Sequence, residues 1–84
     1  MRNVTDRPET LLVEGYSRDE AILILSRQRA LFSHKPIGVS TFYRWIGELG
    51  ISPKYRYSEL DITRLLKLCT HYAMGGSTAN QPDI

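Results

Sequence analysis

Gly38-Val39-Ser40-Thr41-Phe42-Tyr43-Arg44-Trp45-Ile46-Gly47-Glu48-Leu49-Gly50 is the stretch on which the reading of the fold turns. Phe42, Trp45, Ile46 and Leu49 recur at three- and four-residue steps, the spacing of one apolar face of an α-helix. Ser40 can cap that helix through its hydroxyl, and Gly50 can take the left-handed position just past its end. A helix is therefore expected over residues 40–49, with Thr41, Arg44 and Glu48 on its polar face.

Upstream, Ser17-Arg18-Asp19-Glu20 has the spacing of a capping box, in which the serine accepts a backbone N–H and the glutamate reaches back to the serine amide. Ala21, Ile24, Leu25, Gln28, Leu31 and Phe32 then form a stripe with helical steps. Residues 21–25 also fit a strand, but the cap before them and the helix-forming run after them favour a first helix. Lys35-Pro36 is expected to stop it, because proline lacks a donor and pushes the preceding residue out of the helical region. Downstream, Ile51-Ser52-Pro53 breaks the second helix, and Lys54-Tyr55-Arg56-Tyr57 alternates basic with aromatic side chains as an extended wing would. Ser58 opens another cap with Asp61 three residues on. Ile62, Leu65, Leu66, Cys69, Tyr72 and Ala73 line a third helix, ended by Gly75-Gly76. Thr10–Val13 could supply a short strand beside the wing.

These elements predict a mainly α winged helix-turn-helix, three helices with a short β wing at 53–57. The domain spans residues 10–74, between an N-terminal tail at 1–9 and a flexible C-terminal tail at 75–84. With 84 residues the core is thin, so a second copy of the chain would help to stabilise it, and a homodimer is expected. The lone Cys69 forms no internal disulfide, and one thiol with two histidines has no zinc-ligand spacing, so no metal and no cofactor is expected. The polar, acidic start is unlike a signal peptide and no apolar run is of membrane-spanning length. The reading is a cytoplasmic, nucleoid-associated protein without a membrane.

Net charge is only +2, but it is unevenly spread. Residues 1–26 carry three basic and five acidic groups, whereas residues 27–67 carry eight basic groups against three acidic ones. A basic middle that coincides with the helix-turn-helix and wing points to double-stranded DNA. In that reading the helix at 40–49 enters the major groove. Thr41, Tyr43, Arg44 and Glu48 approach base edges, with Arg44 the first candidate because arginine to guanine is the commonest specific pairing. Ser40 and the free N–H groups beside it would hold a phosphate, and Lys54, Tyr55 and Arg56 would follow the backbone or minor groove. Arg27, Arg29 and Lys35 either reach flanking phosphates or simply solubilise the end of the first helix.

Residues 38–45, followed by Arg56-Tyr57-Ser58-Glu59-Leu60-Asp61-Ile62-Thr63-Arg64-Leu65-Leu66, resemble the MerR family of winged-helix transcription regulators over roughly half the chain. The resemblance implies DNA contacts at Ser40, Tyr43, Arg44, Lys54, Tyr55 and Arg56. The first helix looks longer than the family's, the wing is clipped, and Tyr43 stands where an arginine is common. Sensory members of that family continue into a dimerising helix and an effector domain. This chain implies a short, effector-free repressor, similar to excisionase-like proteins and to regulators carried by phages or transposons, a CRISPR-associated transposon repressor among them.

A sequence-specific repressor on an operator, with RNA polymerase or a recombinase as further partner, is thus the principal expectation. An excisionase-like or packaging architectural factor is the first alternative, and a protein–protein adaptor on the same fold is the second. No catalytic motif is present. Trp45 and Phe42 read as core anchors and Cys69 as a small buried hydrophobe. His34 and His71 are helix-end or surface groups, and Glu59 and Asp61 are carboxylates suited to a helix start.

Overall fold

The computed structural model describes residues 15–81, so the expected strand at 10–13 and the tail at 1–9 lie outside the described residues. Helix α1 runs Arg18–Ala30, α2 Val39–Glu48 and α3 Glu59–Ala73, with a 3-10 turn at Thr78–Asn80. The architecture is mainly helical. No strand forms among the described residues.

Both capping boxes form. Ser17 Oγ accepts from the Glu20 amide at 3.1 Å while Glu20 Oε1 accepts from the Ser17 amide at 2.7 Å. Ser58 Oγ accepts from the Asp61 amide at 3.0 Å, and Asp61 Oδ2 from the Ser58 amide at 3.1 Å. Each box satisfies two N–H groups that a helix start otherwise leaves without partners. Helix α2 differs: its N-cap is Gly38, with no side-chain hydrogen bond, and Ser40 sits exposed in the first turn. The expectation that Ser40 caps this helix is corrected. The backbone enters helical geometry one residue before it, with the Phe42 amide already donating to the Gly38 carbonyl at 3.1 Å.

All three helices close by one device, a left-handed residue followed by an amide that reaches back five positions. Gly50 (φ 72°) is followed by Ile51 N–H to Ile46 O at 2.8 Å, and Gly75 (φ 91°) by Gly76 N–H to His71 O at 2.9 Å. In α1 the left-handed residue is Ser33 (φ 63°), and His34 N–H donates to Arg29 O at 3.0 Å. This stops α1 ahead of Lys35-Pro36, where the sequence placed the end. Leu31 is consequently 77% exposed instead of extending the buried stripe.

Ala21 and Leu25 of α1, Phe42, Trp45 and Ile46 of α2, and Ile62, Leu65, Leu68 and Cys69 of α3 form one core with Ile37, Ile51 and Tyr57. Helix α3 is the shared partner of the other two. Leu68, outside the stripe expected from the sequence, is fully buried, whereas Leu66 is only partly buried.

The wing is the main correction to the expected fold. Among the described residues its pairing is a single antiparallel bridge, in which Tyr16 and Tyr57 exchange both backbone hydrogen bonds at 2.8 Å. Pro53 offers no donor, and the Lys54 amide turns inward to the Tyr57 hydroxyl at 3.2 Å. Residues 54–57 therefore close on themselves instead of extending a ladder. Tyr57 is buried edge-to-face on Phe42, with ring centroids 5.2 Å apart, so the loop is anchored by a side chain.

The expected C-terminal tail includes the turn at Thr78–Asn80, and Gln81 Nε2 donates to Glu48 Oε1 at 2.8 Å.

Candidate nucleic-acid interface

Phe42, Trp45 and Ile46 fix how α2 sits on the core, and successive residues advance about 100° round a helix. Ser40, Tyr43, Arg44 and Gly47 are thereby turned outward, and all four are exposed. The strip has three properties in common with a surface built for close approach. Its amino end has no side-chain cap and no acidic residue in the first turn, so unbonded N–H groups face solvent. A Cβ at Gly47 would meet nothing within 4 Å, so the helix presents bare backbone there. Arg44 is 65% exposed, with its Nε 3.7 Å from Glu48 Oε2.

Tyr43 and Glu48 stand on opposite flanks of the strip. The Tyr43 hydroxyl accepts from Arg18 Nη1 at 3.4 Å, a contact that, with Asp19, holds the Arg18 guanidinium above its ordinary pKa. Arg18 is a site neighbour that nothing in the sequence singles out, since it lies inside the α1 capping box. Together with Ser17, Asp19, Pro53, Lys54 and Tyr55, these two side chains bound an open cleft of about 530 Å³. Tyr55 is 95% exposed at its rim. Glu48 turns the other way, toward Tyr72 of α3 and Gln81 of the C-terminal segment, and is half-buried, as is Thr41.

The cations of the wing are not free. Lys54 Nζ lies 2.9 Å from Asp61 Oδ2, and Arg56 Nη1 lies 3.4 Å from Glu20 Oε1. Of the remaining basic side chains in the middle of the chain, Arg29 donates to the Lys35 carbonyl at 2.7 Å, and Arg64 to the Leu49 carbonyl at 2.7 Å. Both tie down helix ends. The side chains of Arg27 and Lys35 are exposed, and no contact among the described residues joins them to α2 or to the wing. The expected site residues thus fall into four groups: the exposed α2 strip, half-buried Thr41 and Glu48 beside it, the wing loop with its two ion-paired cations, and two separate cations near the end of α1.

Among the described residues no group of three or more His, Cys, Asp or Glu side chains is arranged to hold a metal ion, and no helix is long and apolar enough to cross a membrane. Cys69 is buried, and that burial pushes its thiol above the ordinary value, against a smaller opposing pull from Arg29. Comparison of the chain with protein-family models, with curated proteins and with solved structures finds no match.

Proposed function

We propose that this chain binds double-stranded DNA through the outward strip of α2 and acts as a sequence-specific repressor, with two copies on a repeated or palindromic operator. The observation that carries the reading is the strip Ser40, Tyr43, Arg44 and Gly47: a guanidinium, a phenol, an uncapped helix start and a bare glycine on one exposed face. A helix of this kind suits the major groove, where Arg44 pairs with a guanine and the amides near Val39 and Ser40 meet a phosphate. The short loop at Lys54–Tyr57 lies beside it as a reduced wing, in keeping with the resemblance to MerR-type regulators. Selection of bound duplexes from a random pool tests the proposal. Enrichment of a motif with a defined half-site spacing is the expected result, and a pool that stays random at low salt rejects it.

The pairing of Lys54 with Asp61 and of Arg56 with Glu20 favours one further reading, an adaptor whose cleft meets a protein. DNA binding weakens linearly on a log–log plot against salt as counterions are released, and the adaptor shows no duplex binding to weaken.

A further inference from the structure

We propose that Glu48 is a positioning residue for Arg44, and that the C-terminal turn, acting through Tyr72 and Gln81, thereby sets the base preference of the α2 strip. The inference rests on the DNA reading and adds to it a specificity element outside both the helix-turn-helix and the wing.

The two oxygens of Glu48 are engaged on different sides. Oε1 accepts from the Tyr72 hydroxyl and from Gln81 Nε2, the latter at 2.8 Å, while Oε2 faces Arg44 Nε at 3.7 Å. Tyr72 is itself held. Its ring stacks on Trp45 with centroids 5.8 Å apart, its oxygen accepts from Gln81 Nε2 at 3.2 Å, and it lies 3.0 Å from Thr78 Oγ1. A phenol has one proton, which Tyr72 gives to Glu48, so the Thr78 hydroxyl donates to Tyr72. The hydrogen bonds then run in one direction, from Thr78 through Tyr72 to the carboxylate, and each strengthens the next.

With Oε1 fixed by two donors, Tyr72 of α3 and Gln81 beyond it, Oε2 has a defined place, and it draws Arg44 by charge at Nε, 3.7 Å away and beyond hydrogen-bond length. The two Nη groups of Arg44 have no partner among the described residues, which leaves the terminal fork of the guanidinium for the bidentate pairing that reads guanine. An exposed arginine without a tether would have to be ordered at the moment of binding.

Two variants separate this from a general effect on the fold. Glu48→Gln keeps a carbonyl oxygen for Tyr72 and Gln81 but removes the charge that holds Arg44. The double variant Y72F/Q81L keeps the ring on Trp45 but removes both donors. Each should lower the ratio of affinities for the selected and a scrambled duplex about three- to tenfold, the entropy of one side chain no longer pre-ordered, without changing the salt slope. In the free protein, the Arg44 Nε–Hε NMR signal should show greater motion in both variants. Ratios within twofold of wild type, or unchanged Arg44 motion, would overturn the proposal. If Y72F/Q81L does not fold, E48Q carries the comparison by itself. A wild-type chain that enriches no duplex removes the DNA reading and this proposal with it, whereas a wild type that binds, with both variants keeping its ratio, removes this proposal alone.

Discussion

Lys54 Nζ lies 2.9 Å from Oδ2 of Asp61, so the first cation of the wing loop neutralises the carboxylate that caps α3. Asp61 is the one buried charged residue among the described residues, and Lys54 also lies over the Tyr57 ring, 5.8 Å from its centroid. The lysine that the sequence offered as a phosphate contact is therefore a joint between the loop and a helix start. Truncating it to methionine leaves a mostly buried carboxylate without its partner. Because Lys54 is nearly half exposed, solvent screening reduces the loss to about 1 kcal/mol of folding stability. Urea unfolding without DNA checks this, and an unchanged midpoint would mean that water replaces the lysine at no cost.

Acid should unfold the chain through its capping carboxylates. Burial alone would raise the Asp61 carboxyl, but the hydrogen bond from Lys54, joined by the Ser58 amide, outweighs it and leaves the group below the ordinary value. Glu20 is also lowered, chiefly by the Ser17 amide. A carboxylate depressed in the folded state contributes stability that is complete above its unfolded value of about 4, and that contribution is lost as pH falls through the lower folded value. Urea midpoints should be level from pH 7 to about 5 and drop below about 4, and Asp61→Asn should flatten that drop. A midpoint that holds steady to pH 3 contradicts the assignment.

The shared helix-closing device ranks three substitutions. Ser33 occupies a left-handed position with φ 63°, which glycine adopts without strain, so Ser33→Gly should stabilise the chain by roughly 0.5–1 kcal/mol. Gly50→Ala introduces the same strain into open space and should cost about 1–2 kcal/mol. Gly15→Ala should cost more than either. Its Cβ would lie 2.6 Å from the Tyr57 carbonyl oxygen, which accepts the bridge from Tyr16, so the strain at φ 86° is joined by loss of the backbone bridge between Tyr16 and the wing loop. Thermal melting of the three variants checks the order, and a neutral Gly15→Ala would show that the bridge contributes nothing.

What was legible in the sequence was mostly local. Ser17 to Glu20 and Ser58 to Asp61 sit at fixed spacing, and the Phe42, Trp45, Ile46 stripe needs only the helical period, so both survive into three dimensions. Ser40 misled because a hydroxyl near a helix start looks like a cap, whereas Gly38 holds the extended conformation and has no side chain to advertise it. The β wing misled because Lys-Tyr-Arg-Tyr alternates like a strand, yet Tyr57 is recruited to Phe42 and its hydroxyl takes the Lys54 amide. The pairing of Lys54 with Asp61 and of Arg56 with Glu20 depends on how the loop meets two helix starts, 7 and 36 residues away in sequence. Charge counting could not foresee it.

Arg44 and Lys54 should now behave differently on DNA. Arg44→Ala is expected to cost about 1–3 kcal/mol on the selected duplex and to relax one base preference, with folding unaffected. Lys54→Met should weaken binding only as far as it reduces the folded fraction. Gel shifts at matched folded concentration distinguish them, and equal, sequence-independent losses from both would move Arg44 into the class of phosphate contacts.

Gly47 gives the sharpest opposition between fold and function. A glycine inside a helix is less favourable than alanine by about 1 kcal/mol, and at Gly47 a methyl group would meet nothing within 4 Å beyond its chain neighbours and its own helix backbone. Gly47→Ala should therefore raise stability by roughly 0.5–1 kcal/mol. On the proposed reading the same methyl stands between Tyr43 and Arg44 and whatever the strip approaches. A contact packed to protein-like density tolerates such an addition poorly, and affinity for the selected duplex should fall at least about tenfold. A variant that melts higher and binds more weakly is the expected combination. One that melts higher and binds as tightly as wild type would place the DNA surface away from this strip.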